Sequence, residues 1–253
     1  MLAATLARIY RRVYARMTAA NAHSLLGQLM PFAALPPAAL DSLALQGRWR
    51  TADKGEVLFQ KDDPATSIII LAAGRLKLTR TTYAGNDVVM DVIEGPACVF
   101  DTQLLGGTHT CAAEVLDADT RIFTLPATQV RQAVMDIPAA MKALMDEMAA
   151  HTRRRENEME RLMVQNAPQR LGCYLLQLCG GREKGALSVD LPLEKATIAA
   201  RLGMQPETFS RALGQLKKDL GLTVDDARIT VPDVMALAQY VCAHCSSTYP
   251  CKK

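Results

Sequence analysis

No run of apolar residues in this sequence approaches the length of a membrane span; the longest is Ile68 to Ala73. A helix needs about 20 consecutive apolar residues to cross a bilayer, so a transmembrane protein is excluded. A signal-peptide core is also missing, because Arg8, Arg11, Arg12 and Arg16 break up the apolar residues at the N-terminus. Sec export is therefore not expected. Cysteine is present, but not as a disulfide framework: the seven residues are an odd number, widely spread, and none precedes Cys98. A reducing, cytosolic protein is the expectation. A strong excess of one charge is lacking as well. The net charge of +3 permits nucleic-acid binding without demanding it. What remains is a chain of 253 residues, 49% hydrophobic and 22% charged, ordinary for a folded protein of one or two domains.

The first twenty residues carry four arginines and no acid, with Leu2, Leu6, Ile9 and Val13 at helical spacing. They read either as an amphipathic basic helix or as an extension, disordered or started too early, with Met17 the true start. A short helix is expected over Pro37–Gln46. From Lys54 to Phe123, short β-prone runs alternate with turn residues: Glu56–Gln60, Ser67–Ala72, Leu76–Thr82 and Val88–Ile93, separated by Asp62-Asp63-Pro64, Gly74, Ala84-Gly85-Asn86 and Gly95-Pro96. That spacing suggests an antiparallel sandwich or barrel. Helices follow rather than further strands, so the expected fold is a β module with a helical partner.

Pro126 opens a helical region and Ile137-Pro138 breaks it. A long helix is then predicted from Ala139 to Gln165, with a heptad-like seam of Met141, Leu144, Met148, His151, Arg155, Glu158 and Leu162. A stripe of this length needs a partner, either a second copy of the chain or the helix's own β module. The run His151-Thr152-Arg153-Arg154-Arg155 also reads as a solvated face.

The last third carries the most specific pattern. Ala199 and Gly203 are four apart, and Ile198, Leu202, Phe209, Ala212 and Leu213 would pack two short helices together. Gly203 falls where the chain must turn, and Pro206 sits at a helix start, where its missing N–H costs nothing. This is helix-turn-helix spacing. In the second helix Phe209, Leu213, Leu216 and Leu220 form one face; Glu207, Ser210, Arg211, Gly214 and Lys217 or Lys218 form the other. Arg can bond bidentately to guanine O6 and N7, and Glu can accept from cytosine N4. The runs Gly221–Val224 and Arg228–Val231, separated by Asp225-Asp226, suit the wing of a winged helix.

On these segments, from about Ala22 to Tyr240, the chain resembles the bacterial Crp/Fnr-type transcription regulators. Lys54–Arg80, KGEVLFQKDDPATSIIILAAGRLKLTR, is similar to their cyclic-nucleotide-binding β-roll, and Ile198–Leu222, IAARLGMQPETFSRALGQLKKDLGL, to their helix-turn-helix. The core Pro206–Arg211 resembles the Fnr-like branch, close to the nitric-oxide-responsive regulators of denitrification. The resemblance implies an α+β architecture: an antiparallel β-roll, a long dimerisation helix and a C-terminal winged helix-turn-helix. It divides the chain into an extension (1–21), a sensing roll (22–137), a dimer helix (138–166), a DNA-binding domain (167–241) and a Cys-containing tail (242–253). It further implies a cytoplasmic homodimer on double-stranded DNA, at a palindrome similar to TTGAT-N4-ATCAA, acting with RNA polymerase under a small effector. The family's base-reading motif maps onto Glu207, Ser210 and Arg211; Thr208, Lys217 and Arg201 join the DNA-contact candidates.

Three effector chemistries follow from the resemblance. Cyclic nucleotides require a glutamate for the ribose and an arginine for the phosphate; Asp101 and Cys111 fall at those places, and a buried phosphate without its arginine is costly. An iron–sulfur cluster needs four thiolates, most of them near the N-terminus in the Fnr pattern, where this chain has none. Haem with a diatomic gas needs a His or Cys axial ligand, for which His23, His109, Cys111 and His151 are the candidates. Each of these also reads as an ordinary side chain. An unknown small ligand, a thiol switch or no ligand remain open. Cys242, Cys245, His244 and Cys251 form a metal-capable set on paper, or a reactive tail. The competing function is a ligand-binding β-roll that regulates a partner protein; an enzyme built on Asp101, His109 and Cys111 has no accompanying nucleophile motif or positioned base.

Overall fold

In a computed structural model, residues 18–85, 87–99, 107–180, 185–243 and 245–246 are described. The chain divides into two compact units, residues 1–150 and 151–253. In the first, eight strands form two four-stranded sheets: β1 (Arg48–Ala52), β2 (Val57–Phe59), β3 (Ser67–Ala73), β4 (Arg75–Thr81), β5 (Asp87–Glu94), β6 (Ala97–Val99), β7 (Ala112–Val115) and β8 (Thr120–Pro126). One sheet has the order β1-β8-β3-β6 and the other β2-β7-β4-β5, paired antiparallel throughout.

The apolar run of β3 is long because both its faces are covered. Successive side chains in a strand point to opposite sides. Ile69 and Leu71 join Leu76, Val99, Cys111, Ala113, Val115 and Ile122 in a core between the sheets. Ile68, Ile70 and Ala72 point the other way, into a layer made by α1 (Ala19–Leu26), α2 (Pro37–Gln46), α3 (Ala127–Met135) and the start of α4 (Pro138–Val164). Each Ile, Leu or Val side chain among them contributes about 1.5–3 kcal/mol when fully buried. The outer sheet alternates instead: Leu76 is buried, while neighbouring Lys77 pairs with Glu114 at 2.8 Å. Between β3 and β4 the chain reverses at Gly74, whose φ of 95° suits glycine and where a Cβ would meet Thr120 Oγ1 at 2.4 Å.

The long helix is one residue off its expected bounds, and its seam requires a correction. Ala140 and Leu144 are buried in the helical layer of their own unit, with Met141 packed against it. Leu144 therefore docks on its own β module. The exposed apolar residues are Met145, Met148, Met159, Leu162, Met163 and Val164. With Met141, Thr152 and Arg155, four of these positions give a regular alternation of four and three: 141, 145, 148, 152, 155, 159 and 162. This heptad shares 141, 148, 155 and 162 with the expected seam. It places 145, 152 and 159 where 144, 151 and 158 were expected.

The second unit contains α5 (Ala167–Leu178), β9 (Leu187–Asp190), α6 (Lys195–Arg201), α7 (Pro206–Leu220), β10 (Thr223–Asp225), β11 (Arg228–Val231) and α8 (Val234–Cys242). α5 starts at a capping box, with Asn166 and Gln169 each accepting from the other's backbone N–H at 3.0 Å. Its Gly172 admits α8 closely: a Cβ there would stand 2.6 Å from Val241. Leu171, Leu175, Ile198, Phe209, Leu216, Ile229 and Leu237 share one core. The wing is a three-stranded sheet in the order β10-β11-β9. Its third strand was not anticipated, although Leu187-Ser188-Val189-Asp190 alternates apolar and polar as a half-buried strand should.

Candidate nucleic-acid interface

The turn between α6 and α7 is fixed by backbone chemistry. The N–H of Gly203 donates to the carbonyl of Ala200 at 3.1 Å, and that of Met204 to Ala199 at 3.0 Å. This is the Schellman pattern, which satisfies the last carbonyls of a helix and needs a left-handed residue between them. Gly203 supplies it with φ 65°. Met204 then turns inward, buried with Ala199 in the core. Pro206 begins α7 at a position where no backbone donor is needed, and Gly221, in the left-handed region, ends it.

Between those limits α7 is sharply two-sided. Phe209, Ala212, Leu213 and Leu216 are buried; Glu207, Ser210, Arg211, Gly214, Lys217 and Lys218 are exposed. Leu220, expected on the apolar face, is half-buried and packs at its edge. Ser210 donates its hydroxyl to the Pro206 carbonyl at 3.0 Å, which leaves its oxygen lone pairs as acceptors. Thr208 is half-buried, and Arg201 is half-buried at the end of α6. Glu207 in the first turn and Lys217 and Lys218 in the last complement the helix dipole, so the charge order along the helix also favours its formation. The arrangement offers base-edge donors and acceptors from the N-terminal half and cations from the C-terminal half of a single face.

Beside it, the wing sheet is tied by a bidentate pair. Arg228 Nε donates to Asp190 Oδ1 at 2.8 Å and Nη2 to Oδ2 at 3.2 Å, between residues directly opposite in the β9–β11 register. The hydrogen bond from Arg228 holds the Asp190 carboxyl below its ordinary range. Ser188 and Thr230 join hydroxyls across the same strands at 2.8 Å.

The haem-ligand candidates do not form one cluster. His109 is 5% exposed and stacks on Phe59, with ring centroids 3.6 Å apart and planes 11° from parallel. Cys111 is 5% exposed and belongs to the core between the sheets. His23 lies on α1, on the far side of the β1-β8-β3-β6 sheet, with Nδ1 2.6 Å from Asp41 Oδ1. His151 is half-buried on α4. A guanidinium missed in the sequence sits near the first pair: Arg80 Nε donates to the Thr110 carbonyl at 2.8 Å. Asp101, His244 and Cys251 lie outside the described residues, and among those described no group of three or more His, Cys, Asp or Glu can hold a metal ion. Among them, too, no helix is long and apolar enough to cross a membrane.

Comparison with known proteins agrees with this architecture. A model described as the Crp-like helix-turn-helix domain matches residues 169–240, and one described as the cyclic nucleotide-binding domain matches residues 49–136. The CRP-like cAMP-activated global transcriptional regulator of Mycobacterium tuberculosis is 24% identical over 213 residues, covering 82% of this chain and 94% of its own. The fumarate and nitrate reduction regulatory protein of Shigella dysenteriae is 26% identical over 196 residues, covering 76% of this chain and 78% of its own. Among solved structures, FixK2 of Bradyrhizobium japonicum superposes with a TM-score of 0.65 at 22% identity, over 76% of this chain and 95% of that one. That likeness shows the fold alone.

Proposed function

We propose, for a chain that belongs to the Crp/Fnr-type transcription regulators through its cyclic-nucleotide-binding fold and Crp-like helix-turn-helix, that it reads a palindromic DNA site similar to TTGAT-N4-ATCAA as a cytoplasmic homodimer acting with RNA polymerase. It is a regulator rather than an enzyme. The observation that carries the DNA reading is the two-sidedness of α7: the side that is not core presents Glu207, Ser210 and Arg211 together near the helix N-terminus. That end of a recognition helix contacts bases in the major groove. Arg211 donates bidentately to a guanine edge, Glu207 accepts from a cytosine N4, and Ser210 accepts from the neighbouring pair. Lys217 and Arg201 take phosphates, and Thr208 lines the edge of the contact. A protein-docking helix would instead present aromatic or aliphatic anchors, which this face lacks.

The homodimer is supported by the exposed heptad on α4. Met145, Met148, Met159 and Leu162 are large apolar side chains left at 47–63% exposure on one helix face, as a coiled-coil seam requires. Two recognition helices related by the resulting two-fold axis meet major grooves about 34 Å apart, one helical turn of DNA.

The effector is taken up by the roll, with haem and nitric oxide favoured over a cyclic nucleotide. Cys111, at the place of the phosphate-binding arginine, is buried among apolar side chains and offers no positive charge to a phosphate. His109 and Cys111 are the candidates that lie with the intersheet core, and they would hold the haem; His23, across the sheet and paired with Asp41, does not fit with them. Haem would supply the affinity for a diatomic gas.

The test is a binding titration on the palindrome and on a guanine-substituted version, each at two salt concentrations. Arg211→Ala should cost about 1–3 kcal/mol per half-site and relax the preference for guanine, whereas Lys217→Ala should weaken both sites alike and flatten the salt slope. If Arg211→Ala weakens both sites equally, that side chain is a phosphate contact and the direct-readout assignment fails.

A further inference from the structure

Beyond α8, Cys245 and Ser246 lie against the end of α4. Ser246 donates its backbone N–H and its hydroxyl to the Glu160 carboxylate, each at 2.7 Å. One residue on, Arg161 Nη1 lies 3.9 Å from Cys173 Sγ of α5. Just past the end of α4, four positions on from Arg161, Gln165 Nε2 donates to Cys245 Sγ at 3.2 Å. Residues four apart on a helix are surface neighbours, about 5–6 Å between Cβ atoms. Arg161 and Gln165 therefore bring two sulfurs into one neighbourhood, although Cys173 and Cys245 are 72 positions apart in the chain.

We infer that Cys173 and Cys245 form a redox-modification site, a thiol pair that a hydroperoxide oxidises to a disulfide strapping the tail to α5. The two differ in access. Cys173 is 7% exposed, whereas Cys245 is half-buried and is the sulfur a small oxidant reaches first. The peroxide oxygen transfers to the Cys245 sulfur, giving a sulfenic acid and releasing water. The Cys173 sulfur then attacks that sulfur, its proton leaves with the hydroxyl as a second water, and the S–S bond forms. Two thiols lose two electrons and two protons to one peroxide.

Two further observations point to this partner. Burial pushes the Cys245 thiol above its ordinary range, which slows its oxidation at neutral pH, and the neighbouring thiol that adds to the effect is Cys173. The Gln165 carboxamide oxygen is buried with no hydrogen-bond partner among the described residues, so polar contacts with those residues leave this corner incompletely satisfied. The inference does not depend on the DNA-reading face, since none of these residues lies on α7.

The full-length protein, reduced and then treated with about one equivalent of hydrogen peroxide, is alkylated, digested and mapped by fragmentation mass spectrometry. The expected product is a Cys173–Cys245 linkage that dithiothreitol reverses. Cys245→Ser should abolish it, and Cys242→Ser should leave it intact. Cys173→Ala, a second route in case one variant folds poorly, should leave Cys245 as a sulfenic acid that dimedone traps. A Cys242–Cys245 bond, a sulfinic acid on Cys245 of the unsubstituted protein with Cys173 still alkylatable, or two unreacted thiols would each overturn the assignment.

Discussion

His109 and Cys111 of the β-roll are buried inside their fold, whereas Glu207, Ser210 and Arg211 of α7 stand on the solvent side of theirs. The difference follows from what surrounds each element. A helix docked on a core by one stripe must present the opposite stripe, so a polar side chain on that stripe is available to a large ligand. The roll is closed between two sheets, and a polar or sulfur-bearing side chain that points into it is available only to something small enough to enter. A large partner can therefore reach the outer face of α7, whereas the side chains between the two sheets are closed to it.

The contrast is broken most strongly by removing what holds α7 in place. Phe209→Ala empties a side chain 2% exposed at the centre of the second core and should cost about 3–5 kcal/mol in a denaturant titration. Ser210→Ala, its solvent-side neighbour, should leave the same titration nearly unchanged while altering DNA binding. Equal losses would mean that the two faces of α7 are not functionally separate.

Glycines sharpen the comparison at a smaller scale. A Cβ on Gly47, in the first unit, would stand 2.0 Å from the Phe123 ring, so Gly47→Ala should destabilise by about 1–3 kcal/mol through overpacking. A Cβ on Gly214, on the exposed face of α7, meets nothing within 4 Å. Gly214→Ala should stabilise the protein by about 0.5–1 kcal/mol because helical glycine costs backbone entropy. Thermal unfolding of the two variants should shift in opposite directions.

The smallest effect concerns the wing. Asp190 is held below its ordinary range by Arg228. A carboxyl whose folded pKa is depressed stabilises the folded state above its unfolded pKa, and that contribution is lost as pH falls through the folded value. Amide hydrogen exchange in β9 and β11 should therefore accelerate below the ordinary carboxylate range, and Asp190→Asn should remove that pH dependence. An unchanged profile in the variant would assign it to another group.

Most of the strands and α7 were readable because their signals are local. Ser67–Ala72 and Val88–Ile93 are bounded by turn residues, and Pro206 and Gly221 mark the two ends of the recognition helix. The seam on α4 was harder. Residues 141, 148, 155 and 162 are common to two heptads, and only the docking of Leu144 into its own unit's helical layer selects the one carrying Met145 and Met159. Likewise, β9 has a clear alternation but no local cue to its pairing with β11, more than thirty positions away in the chain.

The sequence by itself determined the turn at Gly203 and the polar face of α7, because helical period, left-handed glycine and proline at a helix start depend on near neighbours. Tertiary structure decided which candidate residues can act together. It set His23 and the His109–Cys111 pair on opposite sides of one sheet, and it brought Cys173 and Cys245 to Arg161 and Gln165, four positions apart at the end of α4. Proximity between residues distant in the chain comes from packing, and no local pattern encodes it.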